Sequence, residues 1–374
     1  MVIPVNEPLF SGNELKYVSD CINSGWISSA GNYLGEFEAS WAKYCDRKHG
    51  IGTTSGTTAL QVAMLALELP PGSEVIIPTF TIVSCALAVL YAGLVPVLVD
   101  CDPETLNIDV TKIEQKITSK TKAIMPVHIY GHSVDMDPIL ELAKKYDLKI
   151  IEDAAEAHGA EYKGKKCGSF GDISCFSFYA NKIITTGEGG MLLTNDDVLS
   201  DRIKNIINLY LNVGTKRFFH DGLGFNYRLT NVQAAIGLAQ VENIDNILKI
   251  KRSIGTEYTK ELSEVGGIKP LVVKDWASPV YWMYGILIDE TIPLDANQFS
   301  NLLQNYGVQT RPFFLGMHEQ PIFKKLNIFK DEYFPVSTMA SKKGLYLPSG
   351  LTLTGLQIKE VCIAVKEIMN GFIK

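Results

Sequence analysis

A chain of 374 residues is too long for one ordinary compact core, and an apolar share of 46% against 20% charged residues excludes a disordered or fibrous protein. The formal net charge of -6, with lysines interspersed rather than massed, excludes a nucleic-acid surface but leaves room for a phosphate-bearing small molecule. About two domains are expected, a larger one over 1–240 that includes the N-terminal segment and a smaller one over 241–374.

The opening MVIPVNEPLFSGNE has no basic run ahead of an apolar core and predicts no signal peptide. From about residue 48 to 195, short β-branched runs alternate with helical patterns. HGIGTT precedes the helix-like TTALQVAMLALEL, and EVIIP precedes IVSCALAVLYAG. Then come VPVLVD, KAIMPVHIY with the helix DMDPILELAKKY, LKIIEDA and DISCFSF. This alternation predicts an α/β domain with a mostly parallel central sheet flanked by helices, and ligands of such sheets sit at the carboxyl ends of the strands. The most apolar stretch, Ile76 to Leu98, is broken by Pro78, Thr79, Thr81, Ser84 and Gly93, which predicts strand, turn and buried helix rather than a membrane span.

Beyond about residue 235 the pattern changes. One long helix is expected through AQVENIDNILKIKRSIGTEYTKEL, then a strand-like YWMYGILID, a helical FSNLLQNYG and a final amphipathic helix, LQIKEVCIAVKEIMNGF. No Pro/Ser/Gly-rich linker intervenes, so a smaller C-terminal α+β domain joined by a helix is expected. The seven cysteines, at positions 21, 45, 85, 101, 167, 175 and 362, form no CxxC pair. Their apolar surroundings predict small buried hydrophobes in a reducing cytoplasm, with neither a zinc site nor a disulfide framework.

Three stretches carry chemistry. In HGIGTTSGTTAL a strand runs through Ser55-Gly56-Thr57 into a helix, where free backbone amides, a glycine and hydroxyls make a phosphate cradle; the same pattern also serves as a plain N-cap. LKIIEDAAEAHGA ends an apolar strand in Glu152-Asp153. A carboxylate there needs a cationic partner such as a pyridinium nitrogen, or else it caps the next helix. In FSFYANKIITTGEGG, Lys182 ends a buried strand-like segment with Ser177 five residues before it. Desolvation there lowers an amine's pKa and lets it react with a carbonyl, although most lysines in turns are surface residues. Cradle, strand-end carboxylate and reactive lysine, in that order on one α/β sheet, are the parts that hold pyridoxal 5'-phosphate (PLP).

The sequence also resembles the DegT/DnrJ/EryC1/StrS nucleotide-sugar aminotransferases, a branch of the fold-type I PLP enzymes. The likeness is carried by SGWISSAGNYLGEFE, SGTTAL, PTFT, PVHIYGHSVDMDPI, EDAAEAHGAEYKGKKCGSFGDISCFSFYANKIITTGEGG, GFNYRLTNVQAAIG and TRPFFLGMHEQP, and so covers nearly the whole chain. The resemblance implies that Lys182 carries PLP, Asp153 pairs with the pyridine nitrogen and Glu156 lies near the ring hydroxyl. Gly56, Thr57 and Ser177 would hold the phosphate. Asn226 would reach the phosphate of a neighbouring subunit, which makes the expected assembly a homodimer with shared sites. Many relatives carry an aromatic residue where this chain has Ile82, so either Ile82 or Phe80 would pack on the ring.

The implied reaction is ping-pong transamination from L-glutamate, with pyridoxamine 5'-phosphate between the two halves. The first-choice acceptor is GDP-4-keto-6-deoxy-mannose; a UDP- or dTDP-linked keto sugar or a keto-sugar acid is the alternative. For substrate, Trp26, Ser29, Tyr130, Arg228, Phe313 and His318 are candidates, each with a packing or ion-pair role as its plainer reading. His128 reads as near the cofactor or satisfied core, and His158 as a packing or hydrogen-bonding residue rather than a metal ligand. A sugar dehydratase of this family would replace the lysine by histidine, and a non-catalytic regulator would lose Lys182 or Asp153; both residues are present.

Overall fold

The computed structural model describes residues 2–211 and 218–372. Its centre is a seven-stranded sheet. The strands in chain order are β1 (His49–Thr53), β2 (Glu74–Pro78), β3 (Val95–Val99), β4 (Thr121–Ile124), β5 (Lys149–Asp153), β6 (Ile173–Ser177) and β7 (Gly190–Thr194). Their spatial order is β1-β7-β6-β5-β4-β2-β3. β5 pairs parallel with β4 and β6, and β2 parallel with β3 and β4. Only β7 runs against its neighbours β1 and β6. The strands are short and apolar, and helices such as Gly56–Ala66 and Met136–Tyr146 cover the faces, as a sheet buried on both sides requires. β7 was not among the expected strands. Its GMLLT run is wholly buried, and Gly190 lets it approach the first helix: a Cβ there would lie 2.2 Å from the Ser55 carbonyl oxygen.

Because six strands point the same way, the ends of β1, β5 and β6 bring Ser55, Asp153 and Ser177 to one edge. The loop from β6 back to β7 carries Lys182. The Phe178 N–H donates to the Gly189 carbonyl (2.9 Å) and the Thr186 N–H to the Phe178 carbonyl (3.0 Å), closing that loop on itself.

A second, antiparallel sheet is built from β8 (Ile268–Pro270), β9 (Tyr284–Ile288), β10 (Arg311–Pro312) and β11 (Gly344–Leu347), in the order β8-β9-β11-β10. Helices Ile244–Leu262 and Gly355–Asn370 pack on it around Tyr258, Ile286, Phe299 and Val361. Ile3 belongs to this second core and bridges to Val308, although it stands in the first part of the chain. The single long helix expected from residue 239 onward is two, Asn231–Glu242 and Ile244–Leu262. They meet at Asn243, whose backbone leaves the helical region (φ -106°, ψ 9°) while its side chain bonds Ser11 Oγ at 3.0 Å. Asn is prone to this because its amide competes for hydrogen bonds outside the helix. Among the described residues no helix is long and apolar enough to cross a membrane.

Candidate active site

A cleft of about 370 Å³ opens at the carboxyl ends of β1, β5 and β6, walled on the far side by Trp282, Phe314 and Tyr346 from the second part of the chain. Its lining includes Gly56, Thr57, Ile82, Asp153, Glu156, Ser177 and Lys182.

The Lys182 side chain is 10% exposed. Its Nζ lies 3.9 Å from Glu156 Oε1 and 3.7 Å from the centre of the Trp282 ring. Burial draws the amine's pKa down, opposed by the charges of Glu156 and Asp153. The Glu156 carboxyl is pushed up by its own burial, against the pull of Lys182 and of the Tyr130 N–H, which donates to Oε2 at 2.8 Å. An amine with a reduced proton affinity, close to both a carboxylate and an aromatic face, is suited to act as nucleophile and proton carrier.

Asp153 is buried at the foot of the cleft. Its Oδ1 accepts the Ala155 N–H at 3.0 Å and its Oδ2 the Cys85 thiol at 3.2 Å. Desolvation raises its pKa, and those two donors and the Lys182 charge counter the rise. A protonated ring nitrogen placed against this carboxylate would offset the same desolvation.

The phosphate end is made by the helix Gly56–Ala66. Ser55 caps it in a reciprocal box with Thr58, taking up the Thr58 N–H. Among the described residues the N–H groups of Gly56 and Thr57 have no acceptor, and both residues line the cleft. The Ser177 hydroxyl lies beside them, and a Cβ on Gly56 would fall 2.7 Å from the Ser177 Cβ. Open amide donors with a hydroxyl at a helix start, a deep carboxylate and a desolvated amine fit PLP: phosphate on the first, ring nitrogen on the second, carbonyl on the third.

Other expected residues fall elsewhere. Ile82 lines the cleft, whereas Phe80 is fully buried behind it, its ring packed on Tyr130, Phe313 and Phe314. Of the two, Ile82 is therefore the one that faces the site. Tyr130, with φ of +52°, and Phe313 form the same buried aromatic layer, and neither lines the cleft. His318 is held by Thr79 Oγ1 at 2.8 Å and Thr338 Oγ1 at 3.0 Å and also lies outside the lining. Arg228 donates to Asn208 Oδ1 at 2.5 Å. Trp26 and Asn226 are exposed and Ser29 is half-buried, all away from the cleft of their own chain.

His158 packs among Trp41, Phe176 and Phe178. His128, Glu152 and Cys167 come together in the core. There Glu152 receives His128 Nε2, the Gly168 and Phe170 N–H groups and the Ser174 hydroxyl, and the Val134 N–H donates to His128 Nδ1. The cluster is a satisfied hydrogen-bond knot that fixes the β5 end one residue before Asp153. Trp282, Cys85, Phe314 and Tyr346 were not anticipated. Trp282 carries only the signal of an aromatic at a strand start, and nothing local in sequence ties it to a lysine 100 positions earlier.

The model of the DegT/DnrJ/EryC1/StrS aminotransferase family matches residues 9–366. A GDP-perosamine synthase of Caulobacter vibrioides is 43% identical over 369 residues, 98% of each chain. One of Vibrio cholerae is 41% identical over 371 residues, 99% of this chain and all of the relative. Among solved structures, S. venezuelae DesV superposes with a TM-score of 0.89 at 31% identity, covering 96% of this chain and 94% of its own.

Proposed function

The chain belongs to the DegT/DnrJ/EryC1/StrS aminotransferase family, whose enzymes depend on PLP, and from that premise we propose that it aminates a GDP-linked 4-keto-6-deoxy sugar with L-glutamate as donor. The acceptor is GDP-4-keto-6-deoxy-D-mannose and the product GDP-perosamine, by similarity to the two synthases. The observation that carries the reading is the convergence of Lys182, Asp153 and the Gly56–Thr57 amides on one cleft.

Bound PLP supplies an electron sink for charge developing at the donor's α-carbon. Asp153 would keep the ring nitrogen protonated, and the Gly56 and Thr57 N–H groups with the Ser177 hydroxyl would hold the phosphate. Lys182 Nζ anchors the carbonyl of the cofactor. The lysine amine, when not bonded to the cofactor, would take the proton from the α-carbon of glutamate and return one to C4 of the sugar. Glu156, 3.9 Å away, holds that amine in place and sets its charge. Ile82, in the cleft lining, would pack against the ring, and the wall of Trp282, Phe314 and Tyr346 would limit water.

The reading includes a cytoplasmic homodimer in which Asn226, exposed and outside its own cleft, completes the neighbour's phosphate site. It also includes a division near residue 240 into a PLP-binding part and a smaller part.

The test is the absorbance of the purified protein loaded with PLP, followed through addition of L-glutamate and then of GDP-, UDP- and dTDP-linked 4-keto-6-deoxy sugars. The cofactor band should be lost with glutamate and return only with the GDP sugar, with mass spectrometry showing an amino sugar still joined to GDP. Return with a UDP or dTDP sugar alone would change the substrate, and no cofactor band would overturn the aminotransferase reading.

A further inference from the structure

Lys251, on the helix Ile244–Leu262, is 2% exposed. Its Nζ donates to the carbonyl of Trp282 at 3.0 Å and to that of Ser349. Among the described residues no carboxylate pairs with it, and burial alone draws its pKa down to about 7. A buried ammonium without a counter-charge costs stability that an apolar side chain of the same length would not. The two carbonyls it joins stand just before β9 and just after β11. There the Ser349 hydroxyl also accepts the Tyr284 N–H at 2.9 Å and donates to the Leu347 carbonyl at 2.8 Å. Lys251 thus ties together the two strand ends beside the cleft.

Trp282 is then held from both sides. Lys251 holds its backbone, and its indole Nε1 donates to the carbonyl of Asn181, the residue before Lys182, at 2.7 Å. Gly131 (φ +89°) leaves room for this arrangement, since a Cβ there would lie 2.9 Å from the Trp282 nitrogen. With both ends fixed, the ring face is presented to Lys182 Nζ at 3.7 Å from its centre. An aromatic face there stabilises the charged amine and restricts its position, and Glu156 Oε1 lies 3.9 Å from the same nitrogen.

Resting on the aminotransferase reading, we propose that Lys251 is a positioning residue for Lys182, acting through Trp282. Its two hydrogen bonds set the height of the indole against the amine that carries the cofactor and moves the proton.

The experiment compares wild type, Lys251→Met, Trp282→Leu and the double variant, each loaded with PLP. It reads the pH titration of the cofactor's absorbance, the single-turnover rate with L-glutamate and the Tm. Each single variant is expected to move the spectral midpoint and to slow the glutamate half-reaction roughly 5- to 20-fold. The double variant should be no slower than Trp282→Leu, because residues acting as a unit are not additive. If the methionine variant does not fold, Lys251→Gln, a polar variant whose shorter side chain leaves its N–H donor one bond short of the two carbonyls, gives the same comparison with a smaller expected effect. A Lys251 variant with the wild-type titration and rate and only a lower Tm would overturn the proposal, as would a double variant showing the product of the two single effects. A wild type that binds no PLP would overturn the parent reading and this one together, so the two failures are distinguishable.

Discussion

Gly56 stands so close to Ser177 that a Cβ built on it would lie 2.7 Å from the Ser177 Cβ and 3.2 Å from its hydroxyl oxygen. The contact joins the first turn of a helix to the end of β6, and the amides of Gly56 and Thr57 open between them. Gly56→Ala is therefore expected to push the two apart, weakening PLP binding on the order of 10-fold and costing about 1–3 kcal/mol of stability from overpacking. Fluorescence titration with PLP and calorimetric melts of the apo protein would check both; unchanged affinity would remove the cradle from this position.

Lys182 has two tasks in the proposed reaction, and arginine can perform neither, since its guanidinium keeps its proton. Lys182→Arg is expected to abolish the covalent attachment of PLP and to slow the glutamate half-reaction by about 10²–10⁴-fold. Borohydride reduction followed by peptide mass spectrometry reads the first and stopped-flow absorbance the second. A cofactor still attached to the chain would place the reactive amine elsewhere.

Asp153 is the only carboxylate among the lining residues besides Glu156 and Glu188, and it alone sits at the strand end. An amide of the same shape keeps the Ala155 contact but cannot hold a proton on the ring nitrogen. Asp153→Asn is expected to slow the half-reaction by about 10²–10⁴-fold, the range for losing proton control at a reacting group, with little change in glutamate KM. A loss confined to KM would make Asp153 a binding group instead.

His158 supplies a pH dependence of stability. Burial among three aromatic rings lowers its pKa to about 3. The unfolded chain, with an ordinary imidazole, takes up a proton near pH 6.5 while the folded chain does not. Stability is therefore complete above that pH and falls as pH drops through the window toward 3. Between pH 8 and pH 5 this amounts to about 2 kcal/mol. His158→Phe should show a smaller loss of Tm between those two values than wild type. An equal loss would assign the acid sensitivity to other groups.

Much of this molecule was legible in one dimension. EVIIP, VPVLVD, LKIIEDA and DISCFSF form strands where expected, because each is an apolar run bounded by turn residues and long enough only for a strand. Asp153 and Ser177 end such runs, whereas Gly56 opens the helix after β1 and Lys182 lies not at a strand end, as expected, but in the loop five residues past β6; a parallel sheet still brings all four to one edge. GMLLT was harder: it follows a glycine-rich loop with no helix before it, so the alternation that reveals parallel strands gives no cue for an antiparallel one inserted between β1 and β6.

What the sequence by itself determined is local: the alternation of elements, the capped helix start, the carboxylate at a strand end and the lysine shortly after one. Those features follow from residue types within a few positions of one another. Only the tertiary structure decided which aromatic ring meets the lysine, that Phe80 turns into the core while Ile82 faces the cleft, and that a buried Lys251 holds Trp282 in place. Such contacts join residues tens to a hundred positions apart, and they are chosen by close packing between the two parts of the chain, which no local pattern encodes.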